Sequence, residues 1–126
     1  MLEIGIKILR KFVEFKVLRS IPGRMRLKSR APESIYKQAE KYDRELKEAI
    51  MLLDGIENIE INYLIGTVLI EYNTEKTYES KVLEWINKII AVGIKNKGQI
   101  AEYLESDREY LENLLEQQLK EEISKL

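Results

Sequence analysis

Alternation of apolar and charged residues marks two strand-forming segments near the start of the chain. It occurs over residues 13–17 and again over residues 24–28, on either side of the turn signal Ile21-Pro22-Gly23. A period of two is typical of strands that bury one face. Proline lacks a ladder donor and glycine permits unusual dihedrals, so the intervening tripeptide predicts a turn or bulge.

A helical pattern follows directly. Apolar residues recur every three or four positions from Ile35 to Leu53, which predicts one amphipathic helix over residues 32–53. Proline and an acid near its start, and Asp54-Gly55 after its end, are typical helix boundaries.

Two further alternating runs surround a glycine-bearing turn. Residues 58–63 and 67–72 flank Leu64-Ile65-Gly66, a pattern that predicts a β-hairpin. A second helix is predicted over residues 78–92, with Gly93 closing it.

The order of strand, helix, strand, strand and helix is most of a split βαβ unit. We therefore predict an α+β fold, a ferredoxin-like sheet with two helices. Its fourth strand is expected after Gly93, yet residues 94–98 are short and poorly patterned, and the sequence leaves that strand undecided. It also leaves residues 1–13 undecided between helix and strand.

Three regions are predicted on this basis. Residues 1–18 form an apolar and basic N-terminal segment, residues 19–98 the ferredoxin-like domain, and residues 99–126 a C-terminal helical extension. As one continuous helix, the extension would be about 42 Å long and would outreach a small domain.

The apolar stripe of that extension must be covered either by a second copy or by folding back on the chain's own sheet. The pattern favours neither alternative. For self-association, the predicted interface consists of Leu104, Leu111, Leu115 and Leu119.

Composition excludes much chemistry. The 126 residues include no His and no Cys, which rules out His-dependent nucleophiles, disulfides and the usual zinc sites. With no phosphate-cradling glycine loop either, the chain is predicted to be non-enzymatic and to hold no cofactor. It shows no apolar run long enough to span a membrane and no signal peptide, so we expect a cytoplasmic protein, with association with a membrane surface as the alternative.

Charge is balanced overall but unevenly distributed. Residues 1–30 contain nine Lys and Arg against two Glu, whereas residues 99–126 contain eight acids against three bases. The simplest interpretation is that the two ends complement each other, within one chain or between copies. The alternative is an acidic partner, for which the predicted binding residues are Arg19, Arg24, Arg26 and Arg30.

The sequence bears on three other functions. Residues 1–19 combine aliphatic and basic side chains that suit an anionic membrane surface, or that cap the sheet instead. Carboxylates over residues 102–109 or 116–122 suit a hard metal ion, although a solvated helix face is the commoner outcome. Nucleic-acid binding is not expected, because the strands lack the aromatic pattern of RNA-binding sheets.

One resemblance sharpens the prediction. The segment from Leu53-Asp54-Gly55-Ile56 through Gly66-Thr67-Val68-Leu69-Ile70-Glu71-Tyr72-Asn73 resembles the middle of a heavy-metal-associated domain. Arg19-Ser20-Ile21-Pro22-Gly23-Arg24-Met25-Arg26 is similar to the arginine-rich opening of a divergent branch, found alone, at the N-termini of P-type metal-transporting ATPases, and beside the ATPases of iron-storage organelles. The resemblance covers residues 19–92. It implies a role in metal transport or iron storage, with such an ATPase or another protein of that compartment as partner.

The same resemblance contains a departure. Typical members bind soft metals through two cysteines between the first strand and first helix, whereas this chain has Ser29-Arg30-Ala31-Pro32 there. No metal site is therefore predicted in that loop, and Met25 and Met51 are predicted to pack in the core. An assembly module that contacts an acidic partner and a second copy is the resulting hypothesis.

Overall fold

The fold was determined from a computed structural model, which describes residues 15–126. Four strands, β1 (Phe15–Ile21), β2 (Arg24–Ser29), β3 (Ile56–Asn62) and β4 (Thr67–Tyr72), form one antiparallel sheet in the order β1-β2-β4-β3. β2 and β3 run parallel with β4 between them, which is the split βαβ arrangement. The α+β prediction is confirmed.

The fourth strand comes from the N-terminal side of the sequence. β1 pairs with β2 through the Pro22-Gly23 turn and occupies the edge position that a strand after Gly93 was expected to fill. Residues 94–98 contain the end of one helix, a turn at Asn96 and the start of the next helix, so the strand that the sequence left undecided does not form there. A two-residue turn brings β1 beside β2, and the edge needs no later strand. Residue 13, which was predicted to begin this strand, lies outside the described residues.

The helix predicted over residues 32–53 is divided. The chain forms α1 (Glu33–Gln38), a 3₁₀ turn (Ala39–Tyr42) and α2 (Asp43–Met51). Two contacts hold the parts separately. The Lys28 ammonium lies over the Tyr36 ring, 4.7 Å from the ring centroid, and the Tyr63 hydroxyl donates to Asp43 Oδ1 at 2.7 Å. Of these three parts, only α2 contributes buried residues, Ala49 and Ile50.

The helix after the hairpin is longer than predicted. α3 spans Glu79–Lys95 and passes through Gly93, which does not have a positive φ. The buried side chain of Asn96 ends it, because its amide donates back to the Val92 carbonyl at 2.8 Å. A side-chain cap thus replaces the glycine stop.

The C-terminal region is two helices rather than one. α4 (Lys97–Tyr103) and α5 (Arg108–Ile123) are separated at Asp107, whose carboxylate caps α5 by accepting from the Tyr110 amide at 3.1 Å. α5 folds back, and Leu119 joins the core cluster. Folding back was one of the two alternatives that the sequence left open.

All the core contacts lie on one face of the sheet. The residues with no exposed surface are Met25, Leu27, Ile70, Val82 and Trp85. Met25 therefore packs in the core as predicted, but Met51, at the end of α2, is 47% exposed. β1 crosses the predicted boundary between residues 18 and 19, α4 crosses the one between residues 98 and 99, and α5 packs onto the core.

Candidate interaction surface

Five cations lie along β1 and β2 on the face of the sheet opposite the core. β2 alternates buried Met25 and Leu27 with outward residues, and its partners on β1 share each face because directly paired residues point the same way. The cations on this face are Lys16, Arg19, Arg24, Arg26 and Lys28, which we call the basic strip.

Like charges face each other within the basic strip. Arg19 is paired in register with Arg26, and Lys16 with Lys28. Like charges directly opposite each other on adjacent strands destabilise a sheet. The arrangement therefore has an electrostatic cost.

Among the described residues, no carboxylate forms an ion pair with a cation of the basic strip. None of the ten ion pairs found among residues 15–126 involves a residue of β1 or β2. Glu71 is the register partner of Arg24, yet its carboxylate accepts a hydrogen bond from the Asn58 amide at 3.0 Å. The outer face is thus divided, with cations on β1 and β2, and Asn58, Glu60 and Glu71 on β3 and β4.

Three of the four predicted arginines come together in this strip. Arg19, Arg24 and Arg26 lie on it, and exposed Arg30 follows the end of β2. The prediction missed Lys16 and Lys28. Their alternation with apolar residues was a usable signal, but their proximity depends on the register between β1 and β2.

The loop over residues 29–32, where typical members of the family have two cysteines, contains an internal hydrogen bond. Ser29 is buried and its hydroxyl accepts from the Ala31 amide at 3.1 Å, while Arg30 is exposed. A hydroxyl and a guanidinium offer no soft-metal ligands. Across residues 15–126, no group of three or more acids gathers as a metal site would require, the clusters over 102–109 and 116–122 included.

The four leucines predicted for self-association are engaged within the chain to different degrees. Leu111 and Leu119 are buried, whereas Leu104 and Leu115 are partly exposed. Self-association stays a prediction, and the mass of the full chain by light scattering tests it.

One ionisable pair lies beside the hairpin. Burial and the neighbouring Asp43 carboxylate raise the pKa of Tyr63, while the hydrogen bond from the Tyr63 hydroxyl lowers the pKa of Asp43. Opposite shifts of this kind describe a hydroxyl donating to a carboxylate that stays ionised. The pair therefore ties α2 to the hairpin and has no proton to transfer near neutral pH.

Within the part of the chain described, no helix is both long and apolar enough to cross a bilayer.

Comparison with known proteins gives one match. The sequence model of the family described as heavy metal associated domain 2 matches residues 6–126, a wider span than the resemblance in the hairpin and arginine-rich segments. Searches of curated proteins and of solved structures returned no match. A match over nearly the whole length, on the expected α+β fold, leads to one conclusion: the chain belongs to the heavy metal associated domain 2 family.

Proposed function

We propose that this chain is a non-catalytic interaction module with a metal-related role, and that its basic strip binds an acidic protein surface. The observation that supports this proposal is the basic strip itself. It places five cations on two adjacent strands, with Arg19 opposite Arg26, and with no carboxylate paired to them among residues 15–126.

An acidic partner would relieve this repulsion. Carboxylates placed between Arg19 and Arg26 would turn a destabilising cross-strand pair into bidentate, charge-assisted hydrogen bonds. Because four of the five cations are exposed, the attraction would act at long range, accelerate association and weaken with added salt.

Family membership indicates the metal-related setting, and the substituted loop supports a contact role within it. A domain without thiolates at residues 29–32 cannot pass a soft metal along by ligand exchange there. The partner implied by the arginine-rich segment is a P-type metal-transporting ATPase or another protein of a metal-storage compartment. A second copy of the chain is the other predicted partner.

Site-specific photo-crosslinking in cells tests the proposal. A photoreactive residue replaces Leu69, which lies half-buried on the outer face in register with Arg26. The charge-reversal variant is Lys16→Glu with Arg26→Glu, because each new carboxylate then faces a remaining cation, Lys28 or Arg19. Arg24→Glu is avoided because it would face Glu71.

The matched control is Lys95→Glu with Lys97→Glu, two exposed residues at the junction of α3 and α4 that change the net charge equally. We expect a crosslinked acidic partner that is lost in the strip variant and kept in the control. A partner kept by both variants would contradict the proposal. The strip variant should be as stable as the original chain, since it replaces like-charge pairs with opposite ones.

A further inference from the structure

We propose that the turn between β3 and β4 is a membrane-docking tip that inserts into the surface of an anionic lipid bilayer. This inference does not rest on the basic strip's protein partner, although Lys16 and Lys28 of the strip also lie at this end of the sheet. The turn, Tyr63–Gly66, is called the hairpin tip. It exposes two aliphatic side chains, Leu64 at 71% and Ile65 at 51%. No other large hydrophobic residue in the described part of the chain is as exposed as Leu64.

The hairpin tip is rigid, so these side chains are held outward. The Asn62 side-chain oxygen accepts from the Leu64 amide at 3.0 Å and from the Ile65 amide at 3.3 Å. Gly66 adopts a φ of +71°, and a Cβ there would lie 2.7 Å from the Tyr36 ring. The turn is thus seated against α1, and an insertion surface built this way loses little entropy when it docks.

Cations lie at the same end of the sheet as the hairpin tip. The Lys28 ammonium donates to the Ile65 carbonyl. The register of the sheet places Lys16 and the last residues of β2 at the same end of the sheet as the turn. Exposed Arg30 follows β2 there. Ile35 of α1, next to Tyr36, is 40% exposed and extends the apolar area.

The carboxylates at this end of the sheet are mostly engaged. Glu33 is paired with Lys37, and Asp43 is held by Lys47 and Tyr63. Glu40 is exposed. Aliphatic side chains with cations beside them match the two layers of an anionic bilayer surface, the acyl boundary and the charged headgroups.

The shape of the hairpin tip favours a lipid bilayer over a protein as its binding partner. A stable protein interface buries about 800 Å² on each partner, which a two-residue convex apex does not provide without a matching pocket. A bilayer closes around a protruding apex and needs no pocket. The proposal therefore commits to lipid, and a protein partner becomes an outcome of the test.

Vesicle flotation with the full chain is the first test. The vesicles are phosphatidylcholine alone or phosphatidylcholine with phosphatidylglycerol. We expect binding to the anionic vesicles only, and a loss on the order of tenfold or more with Leu64→Ser and Ile65→Ser. Met51→Ser is the control, because Met51 is 47% exposed at the far end of α2. If the tip substitutions leave vesicle binding unchanged, that binding belongs to the basic strip or to residues 1–14, and the proposal is overturned. The absence of any binding to the anionic vesicles would also overturn it.

Fluorescence gives a second readout that does not depend on weakened binding. The chain has one tryptophan, Trp85, which is fully buried and donates to the Ala49 carbonyl at 3.1 Å. In Leu64→Trp, we expect the new indole to shift to shorter wavelength on the anionic vesicles and to be quenched by brominated acyl chains. Met51→Trp should show neither effect. A tip indole that stays solvent-exposed on bound vesicles, or that is shielded only by an added protein, would also overturn the proposal.

Discussion

The two faces of the same sheet differ in what they contribute. On the inner face, Leu27 of β2 is completely buried under the helices, and its neighbour Arg26 points outward beside Arg19. The inner face stabilises the chain by removing apolar surface from water. The outer face places like charges together at an energetic cost. The difference indicates that stability is concentrated on one side of the sheet, leaving the other available for binding.

Substitutions of two adjacent β2 residues, one on each face, should show the largest difference in stability. We expect Leu27→Ala to lower the free energy of unfolding by about 2–5 kcal/mol, because Leu27 has no exposed surface and its truncation opens a cavity in the core. Arg26→Ala should change it by less than about 0.5 kcal/mol. Urea unfolding of both variants measures the difference, and equal losses would show that the outer face is also structural.

The polar pair that holds the folded-back helix should give a smaller effect. Asn96 and Gln118 exchange amide hydrogen bonds of 2.6 and 3.1 Å between the end of α3 and α5. Asn96→Ala leaves the Gln118 amide unpaired and should cost about 1–3 kcal/mol.

The double variant Asn96→Leu with Gln118→Leu distinguishes a hydrogen-bond loss from a packing loss. It should recover part of the stability, because two apolar groups replace both polar partners. Hydrogen exchange of the α5 amides should accelerate in Asn96→Ala alone. Exchange that is unchanged would mean that α5 is held by Leu119 and its apolar neighbours rather than by the polar pair.

Lowering the pH should have the smallest effect on stability, and this effect acts through the Asp43–Tyr63 pair beside the hairpin tip. The folded-state pKa of Asp43 lies below its ordinary value because the Tyr63 hydroxyl donates to it. Its contribution is therefore complete above about pH 4 and is lost as pH falls through the lower folded pKa.

Tyr63→Phe should move the pKa of Asp43 back towards its ordinary value and flatten the acid dependence of stability. NMR titration of the Asp43 carboxyl measures this directly. Tyr110→Phe, at an exposed tyrosine on α5, is the control and should leave the titration unchanged.

Local sequence signals predicted which helices and strands form better than they predicted where each one begins and ends. The hairpin and the helix starting near Pro32 follow from alternation, turn glycines and helix boundaries that act over a few residues. The break in that helix was not predictable, since it depends on Tyr36 and Tyr63 contacts with distant parts of the chain. The helix after the hairpin also continues past the predicted stop at Gly93, because the Asn96 side chain ends it three residues later.

By itself, the sequence determined the α+β class, the buried positions of β2 and the absence of soft-metal ligands at residues 29–32. These properties follow from residue type and period, which act locally. The tertiary structure decided that β1 closes the sheet edge, that α5 folds back, and that Lys16 and Arg19 join Arg24, Arg26 and Lys28 in one strip. Those outcomes depend on register and on which surfaces cover each other, because distant residues become neighbours only when the chain has packed.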